Sequence, residues 1–496
     1  MSDKKQIESA LLSVYNKDHL AELATVLHQS GVQLISTGGT FDFLHALNIP
    51  VKAIEEITSY PAILGGRVKT LHPKVFGGIL NRRAVENDLL ELEQYDIPNI
   101  DLVVVDLYPF EETVASGAAE QEIIEKIDVG GVSLIRAAAK NFKDVAVICE
   151  SNQYSSFIER FQTTENKLDV NDRKKLATRA FQVIAQYDSA ISTYFSKQSE
   201  ALRYGENPHQ AAFFAGRLND CFTQLNGKAL SYNNLLDVDA AVSLISEFED
   251  QACAVIKHNN ACGFAIDQNQ VLAYQKALAG DPISAFGGVV ILNRKLEKST
   301  AEFLNQLFFE VLIAPDFDDD ALALLKSKTN RIILKLQPFK KQEWQSRTVL
   351  NGVLWQTTDN TIENFSQLKA VTHQTVKENQ WTDLEIAVKV CKNSKSNAVS
   401  IIKNGQLVAS GVGQTSRVDA LNHAIEKAKI LGLDVTGAVM ASEAFFPFPD
   451  CVEIAADAGI TAIAQPGGSI KDQLSIDKAN ELKIAMVFTG IRHFKH

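Results

Sequence analysis

The sequence predicts an α/β protein whose first part is a doubly wound parallel sheet. Three observations carry this. Short apolar runs alternate with segments of helical spacing, several of those runs end in glycine turns, and 496 residues exceed what one core can hold. After about residue 200, two further runs of strands and helices follow, split near 350–390. The expected domains are therefore 1–198 and 199–496.

The charge balance narrows the function classes. A net charge of −11 disfavours binding to nucleic acid or to a membrane surface, so anionic ligands need local basic pockets. The six cysteines form no CxxC pair, which reads as free thiols of a reducing compartment and argues against zinc. The segment MSDKKQIESALLSVYNK lacks the long apolar core of a signal peptide, and no run is long enough to span a bilayer. A soluble, cytoplasmic protein is expected.

In the first half, Ala10 to Val14 reads as a strand and Asp18 to Ser30 as a helix with Leu20, Leu23, Ala24 and Leu27 on one face. Val32 to Ile35 runs into STGGT (36–40) and then a helix, Phe41 to Leu47. Such a turn presents backbone N–H groups to a phosphate, although STGGT matches neither common phosphate fingerprint. In LGGRVKTLHP (64–73), Arg67 and Lys69 share a face of an extended segment and suit an anion. DLVVVD (101–106) reads as a central parallel strand with Tyr108 beyond its end. A helix, Glu120 to Lys126, precedes IDVGGV (127–132), and Ser133 to Asn141 reads as a helix carrying Lys140. Val145 to Cys149 is a further strand, Asn152 to about Glu165 a loop, Asn171 to Phe195 a long amphipathic helix, and Ser196 to Ala201 a linker. Lys69, Tyr108, Asp128 and Lys140 fall near strand ends and loops. Together they suit a phosphorylated substrate and proton movement, with Asp128 on an amide nitrogen and the lysines on an oxyanion. Singly, each reads as a solvated surface group.

In the second half, the apolar run Cys253 to Ile256 stops at Lys257–His258, with Asn259, Asn260 and Gly263 following. That is a buried strand delivering a cation and an imidazole into a loop, where ligands of α/β folds sit. An adjacent ammonium lowers the basicity of an imidazole, leaving His258 neutral and able to act as a base. The dipeptide alone reads sooner as a solvated lysine and a satisfied loop histidine. Ser231 to about Phe248 reads as a helix, and Asn404-Gly405 as a hairpin turn between two strands. EAFFPFPD (443–450) suits either a flat ring system or a core plug. Residues 351–382 are polar and carry no clear element. No sequence repeat is visible between the two runs.

Taken together, the motifs resemble the bifunctional AICAR transformylase/IMP cyclohydrolase family over nearly the whole chain. GGRVKTLHP, LYPF, IDVGG and RAAAKN resemble its cyclohydrolase half. LRYGENPHQ, KHNNACG, DPISAFGG, SNAVS, GVGQTSR, EAFFPFPD, QPGGS and FTGIRHFKH resemble its transformylase half. The resemblance implies a methylglyoxal-synthase-like first domain and a two-lobed, cytidine-deaminase-like second. It implies a homodimer acting on AICAR, formyl-AICAR, IMP and folate, with 10-formyltetrahydrofolate as co-substrate and no zinc; it also admits a monovalent cation. By motif, His258 is the base, Lys257 the charge stabiliser or acid, and Asn397 holds the substrate beside them. Arg203, Tyr204 and Arg492 contact the nucleotide, and Asn234, Phe286, Arg417, Phe445 and Asp450 shape the nucleotide and folate pockets. In the first domain Lys69, Tyr108, Asp128 and Lys140 match the cyclisation residues, while Ser13, Lys17, Ser36, Thr37, Gly38, Gly39, Thr40, Arg67 and Thr70 hold the nucleotide.

The chain departs from the family at Ala261 (proline in related sequences), Glu443 (aspartate) and Pro449 (arginine), and is short within 310–390. Two other readings compete. One is a nucleotide-binding regulatory module, which the proton-handling set opposes. The other is a deaminase-like hydrolase, which needs the absent CxxC.

Overall fold

The computed structural model describes residues 4–199, 201–339, 342–350 and 352–496. The chain divides into two compact units, Met1–Ser199 and Glu200–His496.

In the first unit, five parallel strands are Ser9–Ser13 (β1), Gln33–Ser36 (β2), Lys52–Ala53 (β3), Leu102–Val105 (β4) and Ala146–Ile148 (β5). They lie in the order β3-β2-β1-β4-β5. Side chains alternate between two cores. Ala10, Leu12, Leu34, Leu102 and Val104 face one, and Leu11, Ile35, Val103 and Val105 face the other. Both faces are therefore covered, which explains why these strands read as continuous apolar runs. Helices Leu20–Gln29 (α1), Gly38–Ala46 (α2), Val129–Lys140 (α3), Tyr154–Thr163 (α4) and Val170–Ser199 (α5) account for most of that cover. The chain leaves β1 in one direction to β2 and β3, then returns to β4 on the other side. That reversal places a crevice beyond the carboxyl ends of β1 and β4.

Two expectations are corrected here. The stretch read as a loop at 152–165 is mostly the helix α4. Tyr154, Phe157, Ile158 and Phe161 are buried at helical spacing, and polar residues on the opposite face hid the pattern. The expected linker from Ser196 is the last turn of α5, which continues to Ser199.

In the second unit the elements are Phe222–Asn226 (β6), Tyr232–Ile245 (α6), Ala252–Lys257 (β7), Asn260–Ile266 (β8), Gln270–Gly280 (α7), Val289–Leu292 (β9), Val311–Ala314 (β10) and Ile332–Leu336 (β11). Then come Trp381–Lys392 (α8), Val399–Lys403 (β12), Gln406–Gly411 (β13), Arg417–Ile430 (α9), Val439–Ser442 (β14), Asp450–Asp457 (α10), Ala462–Gln465 (β15), Asp472–Glu481 (α11) and Ala485–Phe488 (β16). Among the described residues, eleven strands form one sheet, β6-β11-β10-β9-β7-β8-β13-β12-β14-β15-β16.

This order exposes a repeat that the sequence conceals. Each lobe is a helix, an antiparallel hairpin, a second helix and three parallel strands with helices between them. The lobes meet where β8 pairs with β13, at the register partners Ala265 and Gln406. Corresponding glycines allow each hairpin to touch its helix. A Cβ on Gly263 would lie 1.9 Å from the Ala277 carbonyl oxygen, and one on Gly411 would lie 1.8 Å from that of Ala420.

Between the lobes in sequence, Trp344–Val349 pairs with Gly352–Thr357 as a two-stranded hairpin outside the main sheet. Its Trp344, Leu354 and Trp355 side chains are exposed. The six cysteines form no disulfide, and among the described residues no helix is long and apolar enough to cross a membrane.

Candidate functional site

Each unit holds one cluster of candidate groups. In the first unit it lies in the crevice beyond β1 and β4. Ser13 ends β1, and the Tyr15 and Asn16 N–H groups both donate to Asp106, just past β4 (2.9 Å for Asn16). Lys17 folds back so that its Nζ donates to the Val14 carbonyl and to Thr40 Oγ1 (3.2 Å). Burial holds the Lys17 pKa below its ordinary value. Ser36 donates to the Leu12 carbonyl (2.7 Å), while the buried Thr37 hydroxyl has no hydrogen-bond partner among the described residues. Gly38 and Gly39 form the first turn of α2, which presents its N-terminal N–H groups here.

Lys69 lies across this turn. A Cβ on Gly38 would stand 2.8 Å from its Nζ, and one on Gly66 2.5 Å from its Cε. Among the described residues, Lys69 makes no hydrogen bond or ion pair. Thr70 is buried, and its Oγ1 lies 3.4 Å from where a Gly130 Cβ would be, so the Lys69–Thr70 segment spans two helix N-termini. Asp128 caps the second of them, α3, accepting from the Gly131 N–H at 2.7 Å. Burial raises the Asp128 pKa, and nearby Asp106 adds to this. Burial, then Asp128 and Asp106, likewise raise that of Tyr108. A carboxyl and a phenol whose pKa values are both raised by their surroundings make this a candidate proton-handling pair.

Two placements differ from expectation. Arg67 is largely exposed and paired with Glu125. Lys140 ends α3, whereas Asp128 begins it. At 1.5 Å per residue they are about 18 Å apart along the axis. The structure therefore does not bring Lys140 to the cluster of Lys69, Tyr108 and Asp128. Lys126, unnoticed in the sequence, stands there instead, with its Nζ 5.1 Å and 5.7 Å from the ring centres of Tyr15 and Tyr108. Tyr187 was also missed; its hydroxyl donates to the Lys126 carbonyl and accepts from the Asp128 N–H (2.9 Å). Asp106 was legible, as an acid ending a buried strand.

In the second unit, β7 delivers Lys257, whose Nζ donates to the Phe286 carbonyl at 2.8 Å. His258 and Asn259 then form the hairpin turn, with φ of 50° and 63°. Two positive φ values make a tight turn of the kind that favours Asn-Gly, and the other lobe has Asn404–Gly405 at the matching place. The backbone thus holds an exposed histidine at a position better suited to asparagine. An aspartate supports each turn from the preceding helix. Asp237 accepts from the Asn259 N–H at 2.7 Å, and Asp383 accepts from the Asn404 and Gly405 N–H groups at 2.9 and 2.7 Å.

Asn260 links this turn to the second lobe. Its Nδ2 donates to the His258 carbonyl (2.9 Å) and its Oδ1 accepts from the Lys395 N–H (3.2 Å). Two residues on, Asn397 donates to the Gln414 carbonyl (2.9 Å) and accepts from Arg417 (2.7 Å). Arg417 also pairs with the fully buried carboxylate of Glu443, which accepts from the Ala398 N–H at 3.1 Å. Lys257, His258, Asn397 and Arg417 thus belong to one bonded assembly at the seam of the lobes.

The remaining positions surround it less directly. Phe286 is 62% exposed and packs on Phe308 at 4.9 Å, leaving ring surface open to a ligand. Asn234 is taken up in capping α6 with Ser231 and in donating to Glu310 (3.0 Å). In the aromatic cluster Phe446 is core, Phe445 half-buried and Phe448 exposed beneath Lys471. Asp450 begins α10 and accepts from the Cys451 N–H, with Pro449 at the cap. Arg203 is exposed and stacks over Tyr204 at 5.4 Å, and no bond joins either to the Lys257–Asn397 assembly among the described residues. Arg492 is exposed over Phe494 on the C-terminal segment. Among the described residues, no three His, Cys, Asp or Glu side chains gather as metal ligands.

Two family models match the chain. A family model described as "AICARFT/IMPCHase bienzyme" matches residues 138–427, and an "MGS-like domain" model matches 19–133. Curated relatives match end to end. The bifunctional purine biosynthesis protein PurH of Bacteroides thetaiotaomicron is 55% identical over 100% of both chains. Its namesake from Aquifex aeolicus is 46% identical over 98% of this chain and 100% of that one. That of Clostridium perfringens is 45% identical over 98% and 99%. By the span of the family model and the identity of these full-length relatives, the chain belongs to the AICARFT/IMPCHase bienzyme family.

Proposed function

We infer that this chain carries out the last two steps of IMP synthesis. It transfers a formyl group from 10-formyltetrahydrofolate to the 5-amino group of AICAR, then closes formyl-AICAR to IMP with loss of water. The observation that carries the formyl-transfer reading is the bonding of the His258 turn through Asn260 to the Asn397–Arg417 network. The 5-amino lone pair is delocalised into ring and carboxamide, so attack on the formyl carbon needs a base. The His258 ring takes that proton. Lys257, fixed by the Phe286 carbonyl, stabilises charge at the formyl oxygen or protonates the folate nitrogen as it leaves. Asn397 and Arg417 hold the substrate, with Arg492, Arg203 and Tyr204 on the nucleotide and Phe286, Phe445 and Asp450 towards the folate.

For cyclisation, the open N-terminus of α2, together with the Thr37 hydroxyl and the Lys69 ammonium, neither bonded among the described residues, suits a phosphorylated ligand or an oxyanion. Ser13, Lys17, Ser36, Gly38, Gly39, Thr40 and Thr70 are assigned to holding the nucleotide there. The carboxamide nitrogen attacks the formyl carbon and water departs. Asp128 and Tyr108 handle those protons, and holding one molecule in a folded conformation supplies much of the rate. We leave Lys140 out of this set.

We also propose a homodimer in the cytoplasm. An isolated two-stranded hairpin is marginal in water, and the one at 344–357 exposes two tryptophans and a leucine; a second copy of the chain would cover it.

The test is to incubate the protein with AICAR and 10-formyltetrahydrofolate while following tetrahydrofolate and IMP. His258→Ala should abolish formyl transfer and leave cyclisation of supplied formyl-AICAR intact, and Lys69→Ala should do the reverse. Loss of both activities in either folded variant would refute the two-site assignment.

A further inference from the structure

The C-terminal segment runs beside the formyl-transfer assembly and is bonded to it at three points. The Lys495 N–H donates to Ser396 Oγ (3.0 Å), the Ser396 N–H donates to the Lys495 carbonyl (2.9 Å), and the His493 N–H donates to the Glu443 carbonyl (3.1 Å). Ser396 immediately precedes Asn397, and Glu443 holds Arg417. Along this segment Arg492 and Phe494 point outward while His493 is 2% exposed.

Both nitrogens of the buried ring face carboxylates. Nδ1 lies 2.6 Å from Asp359 Oδ2 and Nε2 lies 2.8 Å from Glu363 Oε1. A neutral imidazole has one donor and one acceptor nitrogen, so it can serve only one of two ionised carboxylates. The other contact would set lone pair against lone pair. An imidazolium satisfies both. Burial works against the charge, but bonding to Glu363 and Asp359 outweighs it and holds the pKa above that of an ordinary histidine. Two charged groups of the neighbouring elements are engaged elsewhere, while Arg492 lies exposed over Phe494. Lys392 of α8 reaches the Thr361 carbonyl (2.9 Å) and pairs with Glu247 (3.2 Å), and the Glu443 carboxylate is held by Arg417.

We propose that His493, held between Asp359 and Glu363, is a positioning residue for formyl transfer. It fastens the C-terminal segment to the 359–363 segment, and so fixes Arg492 and the Ser396–Asn397 backbone where the nucleotide binds. This rests on the reading that Asn397, Arg417 and Arg492 contact AICAR. The sign follows from the geometry. The clamp is complete while the ring is protonated and opens as pH rises through its raised pKa, so substrate binding weakens on the alkaline side.

The experiment measures KM for AICAR and kcat of formyl transfer from about pH 6 to about pH 9, the range over which histidines titrate. It compares the unsubstituted protein with Asp359→Asn and Glu363→Gln. Asp359 is half-exposed, so its variant keeps the test open if the buried Glu363→Gln fails to fold. Each variant should move the alkaline rise in KM down by about one pH unit, a tenfold change in proton concentration, with kcat changed less than about twofold. Cyclisation of formyl-AICAR in the same preparations serves as the control. Superimposable KM profiles would overturn the proposal, as would a KM change equal at every pH. The His493 ring titration, followed by NMR of the histidine-labelled protein, separates the two failures. A normal pKa there refutes the clamp. A raised pKa, with AICAR binding untouched by Asn397→Ala, refutes the site reading beneath it.

Discussion

The paired aspartates beneath the two hairpin turns permit a matched experiment. Asp237→Ala removes the acceptor for the Asn259 N–H at 2.7 Å, directly behind His258. With the Asn259 amide turned to satisfy both of its atoms, its side chain also donates to the same oxygen at 3.1 Å. A hydrogen bond to a charged group contributes about 1.5–3 kcal/mol, and the half-exposure of Asp237 favours the lower end, about 1.5 kcal/mol. If that energy holds His258 in its reactive position, kcat for formyl transfer falls about tenfold. Asp383→Ala removes two such bonds, at 2.9 and 2.7 Å, from a carboxylate only 7% exposed. Burial raises its pKa and offsets part of the gain, leaving about 2–3 kcal/mol lost from stability. No proposed catalytic group lies on that turn, so the folded protein should keep its kcat. The assays are tetrahydrofolate release and urea denaturation of both variants. An Asp237→Ala enzyme within twofold of the unsubstituted kcat, or equal kcat losses in both variants, would refute the reasoning.

Two further outcomes are expected. Gly263→Ala and Gly411→Ala each drive a methyl to within 2 Å of a helix carbonyl and should cost about 3 kcal/mol, the upper end for overpacking, read as a lowered denaturation midpoint. Asp128 is protonated at higher pH than an ordinary carboxyl, so cyclisation should fail on the acid side above the usual carboxylate range, and Asp128→Asn should abolish it. The stability sign is opposite. A carboxyl with a raised folded-state pKa stabilises below its unfolded value and loses that contribution as pH rises. At neutral pH the asparagine variant, which keeps an acceptor for the Gly131 N–H, should melt no lower than the parent.

What the sequence revealed was what local pattern encodes. The parallel strands of the first unit, the arrival of Lys257–His258 at a strand end and the Asn404-Gly405 turn all follow from runs of a few residues. What it hid depends on partners far along the chain. Asp237 meets Asn259, Glu443 meets Arg417 and His493 meets Glu363 only in the folded protein, and no periodicity marks such pairs. Lys126 and Lys140 show the same limit from another side. Both flank the glycine motif, yet the rise of one helix removes Lys140 from the crevice while the loop before it returns Lys126 to the tyrosines. The two lobes share topology with little visible sequence in common beyond the paired glycines Gly263 and Gly411 and the paired aspartates Asp237 and Asp383.

The junction of β8 and β13 gives the larger sheet a line along which it can be probed. One register pair, Ala265 with Gln406, joins halves that each hold their parallel strands in longer ladders. Amides along that line should exchange with solvent sooner than those of β9 or β14, where neighbouring strands protect both edges. A nucleotide held as proposed, by the His258 turn on one side and by Asn397 and Arg417 on the other, would span that line. Slowed exchange at Ala265 and Gln406 would then report occupancy directly, even where no reaction follows.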